Sequence, residues 1–226
     1  MSIRTNILSL RAAIPSHVGI VAVSKTQPAE ALQEAYEAGQ RIFGENKVQE
    51  LVAKRPLLPA DIEWHFIGHL QSNKVKFIVP FISLIHSIDS LKLLGEVDRE
   101  AARCGRVIDC LLQFHIATEE TKFGLDLPEA RSLLAAAEFR QMKHIRITGV
   151  MGINSFTEDI GLIRRECQQL RGYFTELKQE FFAGEPSFRT LSMGMSGDYP
   201  IAVEEGSTLV RLGTVIFGER QYLRQR

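Results

Sequence analysis

Lys25 closes the apolar run Ile20–Thr26 (IVAVSKT), and strand alternation puts its side chain on the same face as Val21 and Val23. An ammonium at the end of a buried strand is costly to keep charged, and desolvation lowers its pKa. Lysines recruited as nucleophiles are activated in this way and condense with a carbonyl to an imine. From a reference of about 10.4, holding the amine neutral at pH 7 costs about 4.6 kcal/mol unless burial lowers the pKa. A lysine whose charged end snorkels into solvent is the competing reading.

Two glycine-bearing turns suit an anion. Ser192-Met193-Gly194-Met195-Ser196-Gly197 ends one strand-like run, with Ser196 and Gly197 past it, and Gly213-Thr214 follows another. Glycines let the backbone approach an anion closely, where amides and hydroxyls donate to it. Arg211 stands between Val210 and Leu212 in the second run. Its guanidinium cannot shed its charge, so it must face an internal carboxylate or an acceptor on a ligand. Asp89 and His115 are strand-end polar groups open to acid–base work or to satisfying loop amides. His65 and His69 would lie roughly 13 Å apart on a strand, too far to share a metal, and no metal site is expected. Lys74 and Lys76 read as a solvated helix start and Trp64 as core.

The elements that would position these groups alternate. Strand-like runs occupy Ile20–Thr26, Arg41–Asn46, Glu63–His69, Leu84–Asp89, Ile108–Ala117, Ile145–Ile153, Phe188–Gly194 and Leu209–Leu212. Several lack polar alternation, as strands buried on both faces of a parallel sheet do. Helical patterns lie between them at Ala29–Gln40 behind Pro28, Leu91–Cys104 behind Ser90, and Thr157–Phe182. In the last, Ile160, Ile163, Cys167, Leu170, Phe174, Leu177 and Phe181 form one apolar stripe, with Arg164, Arg165, Lys178 and Glu180 left wet. Eight strands with intervening helices predict an α/β fold, a single (β/α)8 TIM barrel over 1–226. An open doubly wound sheet is the alternative, but no dinucleotide fingerprint follows the first strand. In a barrel the strand C-termini form the reactive face, and the loops after strands 7 and 8 form the usual phosphate cradle.

Composition agrees with a globular protein. The 226 residues carry 27 Lys+Arg against 27 Asp+Glu, a balance that argues against coating nucleic acid. Hydrophobic content of 45% exceeds what a disordered chain would show. Cys104, Cys110 and Cys167 are odd in number and form no Cys-x-x-Cys pair, so a reducing, cytoplasmic setting is expected. The N-terminal segment MSIRTNILSLRAAIPS reads as an amphipathic helix, and Phe77–Ile85 is too short and broken to span a bilayer.

A lysine imine, a phosphate cradle and an arginine on the last strand resemble the fold-type III pyridoxal-phosphate proteins, whose barrel the N-terminal domain of alanine racemase shares. A series of motifs narrows the resemblance to the pyridoxal phosphate homeostasis proteins (the YggS/PROSC group). They are Val23-Ser24-Lys25-Thr26, Gly44-Glu45-Asn46, Trp64-His65-Phe66-Ile67-Gly68-His69-Leu70-Gln71-Ser72-Asn73-Lys74 and His86-Ser87-Ile88-Asp89. Lys122-Phe123-Gly124, Leu191-Ser192-Met193-Gly194-Met195-Ser196 and Val210-Arg211-Leu212-Gly213-Thr214 with Ile216-Phe217-Gly218 continue the series in order.

The resemblance implies pyridoxal 5'-phosphate as cofactor, with Lys25 as its Schiff-base lysine, Ser196, Gly213 and Thr214 on the phosphate, Arg211 facing the pyridine nitrogen, and Asn46 near the phenolic oxygen. His115 stands where many relatives have Asn, and Gly197 where many have an acidic residue. The implied role is vitamin B6 homeostasis, with apo pyridoxal-phosphate enzymes as recipients and no catalytic residue assigned. An arginine beside the ring nitrogen leaves it unprotonated and the ring a weaker electron sink. The chain ends soon after the eighth run, without room for the racemase second domain, which favours a monomer and disfavours efficient racemisation. A slow amino-acid racemase or related enzyme, with His115 or Asp89 as acid–base group, is the alternative; a class I aldolase would place its lysine later in the barrel.

Overall fold

The computed structural model describes residues 2–119 and 123–219; Lys122 of the Lys122-Phe123-Gly124 motif lies outside them. Eight parallel strands close into a barrel in sequence order, β1 (Gly19–Val23), β2 (Ile42–Glu45), β3 (Glu63–Phe66), β4 (Leu84–Ile88), β5 (Ile108–Phe114), β6 (Ile145–Gly152), β7 (Thr190–Ser192) and β8 (Leu209–Leu212). Closure is made by β1 against β8, with Val21 opposite Arg211 and Ala22 opposite Leu212. The (β/α)8 expectation therefore stands.

Strand alternation divides the apolar residues between two cores. Val21, Leu84, Leu111, Met151 and Leu209 fill the barrel. Ala22, Phe43, Trp64, Phe66, Leu112, Phe114, Val150 and Val210 face outward and pack under the helices. Those helices are α1 (Ile3–Ala13), α2 (Ala29–Glu37), α3 (Val48–Lys54), α4 (Val75–Ile78), α5 (Leu91–Arg103), α6 (Leu127–Ala135), α7 (Ala137–Gln141), α8 (Ile160–Phe181), α9 (Tyr199–Glu204) and α10 (Thr214–Phe217).

Several boundaries differ from the sequence expectation for physical reasons. Most strands end earlier than their apolar runs, because the last residues of each run turn into the loops at the barrel mouth. Phe188–Gly194 shrinks to β7, with Phe188 spent on a ring stack with Phe182. Helix α8 begins at Ile160, where the Asp159 carboxylate accepts from the Leu162 amide at 3.1 Å. Its stripe is buried at Ile163, Cys167, Leu170 and Leu177, but Ile160 and Phe181 at its ends are exposed. Arg164 is tied to Glu204 and Glu205 at the C-terminal end of α9. Among the described residues, no helix is long and apolar enough to cross a membrane.

Candidate functional site

Strand β1 stops at Val23, and Lys25 is half-buried in the turn that follows, two residues past the strand instead of at its end. Thr26 completes this turn at φ 64°, a left-handed conformation that β-branched residues rarely adopt. Such a residue stores of order 1–3 kcal/mol and persists only where its surroundings impose it. Here they do. The Thr26 amide donates to Glu50 Oε2 at 2.8 Å, and Ser24 Oγ donates to Glu45 Oε1 at 2.7 Å. From α3, Lys54 Nζ reaches Glu45 Oε1 at 2.6 Å and the Ser24 carbonyl at 2.8 Å. Burial pushes the Glu45 carboxyl up, and Lys54 and Ser24 only partly offset it. Burial also pushes Glu50 up, but the Thr26 amide and Lys54 outweigh it, and Glu50 lies below the ordinary carboxylate range.

The opposite wall comes from β7 and β8. The loop after β7 turns at Gly194, whose φ of +92° favours glycine and whose Cβ would lie 2.6 Å from Ala202 Cβ. Asp198, buried, organises the loop by accepting from the Met195 amide and from Asn154 Nδ2. The Gly194 carbonyl accepts from the Arg211 amide at 2.9 Å, joining loop to strand. Ser196 Oγ accepts from the Gly213 amide at 3.1 Å, so the two residues expected to hold an anion face each other. A Cβ on Gly213 would sit 3.5 Å from the Val23 carbonyl, which brings this loop against the strand that feeds Lys25. Thr214 is exposed at the start of α10.

Arg211 is buried in the barrel, donating from Nη1 to Ser192 Oγ at 2.7 Å and from Nη2 to the Gly152 carbonyl at 2.8 Å. Burial lowers its pKa to about 10, so the guanidinium is still charged at neutral pH. Among the described residues no carboxylate pairs with it directly, which sets aside the internal ion pair.

A third group lines a cavity of about 300 Å³ between the ends of β2, β3, β5 and β6. It holds Asn46, His69 and His115, all strand-end residues picked out from sequence, together with Gln113 and Phe123. Asn46 Oδ1 is buried there without a partner among the described residues. Gly68 crosses so near that a Cβ on it would lie 2.3 Å from the Asn46 carbonyl oxygen, which explains the glycine. His69 stacks on Phe123 with ring centroids 4.2 Å apart, and its Nδ1 lies 3.4 Å from Asp89 Oδ2. His115 Nε2 bonds the Glu119 carbonyl at 2.9 Å. Both acid–base candidates are therefore engaged by neighbours. No cluster of three or more His, Cys, Asp or Glu side chains placed to hold a metal occurs among the described residues.

The profile of the alanine racemase N-terminal domain family matches residues 1–221. A protein of Aquifex aeolicus named pyridoxal phosphate homeostasis protein is 38% identical over 204 residues, covering 90% of this chain and 87% of that one. Its namesake in Escherichia coli is 38% identical over 212 residues, covering 92% and 88%. The chain belongs to the pyridoxal phosphate homeostasis protein family. PipY of Synechococcus elongatus, solved with PLP bound, superposes with a TM-score of 0.86 at 39% identity, covering 96% of this chain and all of that one. An alanine racemase of Streptomyces coelicolor shares the fold alone, with a TM-score of 0.77 at 20% identity over 58% of its length.

For a member of the pyridoxal phosphate homeostasis family the donor set is chemically apt. A lysine, a guanidinium and a hydroxyl–amide pair sit around one mouth, and they suit an aldehyde, a ring nitrogen and a phosphate. Lys54 and Asp198 escaped the sequence reading, and Glu45, Ser192 and His86 stood in its motifs without a role. Glu45 and Lys54 buttress the Lys25 turn, and Ser192 holds Arg211. Period two from Leu84 puts His86 inside the barrel, and that signal was available.

Proposed function

We propose that this chain is a single barrel domain that binds pyridoxal 5'-phosphate reversibly through Lys25 and serves vitamin B6 homeostasis in the cytoplasm. The observation that carries the reading is the junction of the Lys25 turn with the Ser196–Gly213 loop pair across the β1–β8 seam. The names of its relatives and the bound PLP of PipY support it.

When bound, pyridoxal phosphate supplies an aldehyde carbon that condenses with an amine, releasing water, and a ring able to draw in electron density. The chain's own residues do the rest. Lys25 offers the amine from a turn whose backbone is fixed by Glu45, Glu50 and Lys54. The Ser196 and Thr214 hydroxyls would donate to the phosphate, with the Gly213 amide orienting the first by its bond to Ser196 Oγ. Arg211, charged and fixed by two hydrogen bonds, donates toward the ring nitrogen and supplies it no proton. Asn46 closes the site near the phenolic oxygen. A strong electron sink needs a protonated ring nitrogen, so this set suits holding and releasing the cofactor better than turnover. Apo pyridoxal-phosphate enzymes are the recipients in this scheme, and a monomer suffices because every group named comes from one chain.

The direct test is the absorption spectrum of the protein as purified, before cofactor is added, followed by titration. A visible band that titrates to one equivalent and disappears in Lys25→Ala is expected. A band that persists in that variant removes Lys25 from the scheme, and no uptake at all removes the function.

A further inference from the structure

Inside the barrel, three buried side chains extend the contacts of Arg211 into an unbroken line. Arg211 Nη1 donates to Ser192 Oγ at 2.7 Å, Ser192 Oγ lies 3.2 Å from His86 Nδ1, and His86 Nε2 lies 3.1 Å from His65 Nδ1. The residues come from β8, β7, β4 and β3, so the line crosses the barrel. His86 and Ser192 are fully buried and His65 nearly so.

Donor and acceptor chemistry gives this line one direction. A guanidinium only donates, so the Ser192 oxygen accepts from Arg211. The Ser192 hydroxyl proton then has one acceptor among the described residues, His86 Nδ1. With Nδ1 accepting, a neutral His86 carries its proton on Nε2 and donates to His65 Nδ1. His65 in turn carries its proton on Nε2. It borders a polar cavity at the N-terminal mouth with Glu63, Asp109 and Thr148, where water can accept that proton. The reverse order would leave the Ser192 hydroxyl proton buried and unmade, at a desolvation cost of about 1–3 kcal/mol. Burial holds both imidazoles neutral, His65 down to about 3 and His86 well below the ordinary value with His65 and Arg211 adding to the effect.

We propose that Ser192, His86 and His65 are positioning residues for Arg211, a one-way series of hydrogen bonds that fixes the plane of the guanidinium that would face the cofactor's ring nitrogen. The Gly152 carbonyl supplies the second fixed point, at Nη2. Two bonds on two different nitrogens leave the plane no rotation about either. The role of the line in setting the ring's environment rests on the proposed reading of Arg211, whereas its direction does not.

The test accordingly has two arms. In the cofactor-free protein at pH 7, long-range nitrogen–proton correlation spectra read the tautomer of each ring. Both His65 and His86 are expected to be neutral with the proton on Nε2; a proton on Nδ1 of either ring overturns the direction. In the second arm, Ser192→Ala and Ser192→Thr are titrated with pyridoxal phosphate. Loss of the hydroxyl is expected to shift the absorption maximum and weaken binding roughly fivefold, with Ser192→Thr restoring both. An unmoved maximum in a folded Ser192→Ala overturns the positioning role. Should that variant not fold, His86→Asn, whose shorter carboxamide reaches the Nδ1 position facing Ser192 but not the Nε2 position facing His65, is read by the same two criteria. If the wild-type protein takes up no pyridoxal phosphate, the binding reading fails while the tautomers still decide the direction of the line.

Discussion

Lys54 Nζ lies 2.6 Å from Glu45 Oε1 and 2.8 Å from the carbonyl of Ser24, the residue before Lys25. One buried ammonium thus ties a buried carboxylate to the backbone that presents the reactive amine. The same helix supplies Glu50, which holds the Thr26 amide on the other side of Lys25. The strained turn is imposed from α3, not by its own sequence.

Removing Lys54 strands a buried charge. Lys54→Met is expected to cost about 3–5 kcal/mol in urea unfolding at pH 7. Glu45 already has a raised pKa, so the folded variant binds the extra proton more readily than the unfolded chain. Its stability should therefore fall as pH rises from 5 to 7. Adding Glu45→Gln should recover most of the loss; a double variant as unstable as the single one would show that the pair does not act as a unit.

Gly68 controls Asn46. A Cβ there would meet the Asn46 backbone at 2.3 Å, with no flexible side chain able to yield. Gly68→Ala is expected to lower stability by about 1–3 kcal/mol and to weaken pyridoxal phosphate binding by moving Asn46. Calorimetry and titration together check this, and an unchanged melting temperature would contradict it.

The His65–His86 pair predicts an acid limb to stability. Both rings have folded pKa values depressed by burial, so below about 6.5 the unfolded chain binds more protons than the folded one. Stability is full above that pH and falls as pH drops, by about 1.4 kcal/mol per pH unit for each ring. Urea midpoints at pH 7 and 5.5 should show a shallower decline in His65→Leu than in the wild type. Parallel declines would mean that His65 is charged in the folded state.

Ser196→Ala removes the partner of the Gly213 amide and a hydroxyl donor together. A hydrogen bond to a charged group is worth about 1.5–3 kcal/mol, so the Kd for pyridoxal phosphate should rise roughly 10- to 100-fold. Free pyridoxal, lacking the phosphate, should bind both proteins alike. Equal losses for the two ligands would place Ser196 away from the phosphate.

The barrel was legible because eight strand-like runs, several without polar alternation, recur with helical patterns between them, and Gly194 and Gly213 marked the loops that follow β7 and β8. What stayed hidden were groups whose meaning depends on partners distant in the chain. Glu45 and Lys54 look like ordinary charges until α3 folds back over β2, and Ser192 is one hydroxyl among several until Arg211 reaches it. Lys25 was read as a strand-end residue; the Thr26 conformation that makes it a turn residue is set by Glu50, 24 positions away. Ile160 and Phe181 fit the α8 stripe by spacing, yet the core beneath that helix does not extend to its ends.

Reduction with borohydride in the presence of pyridoxal phosphate, followed by peptide mass mapping, addresses the attachment directly. The account predicts one modified peptide, the one containing Lys25, and no stoichiometric modification in Lys25→Ala. Label spread over several surface lysines, or stoichiometric label on a different lysine, would contradict it.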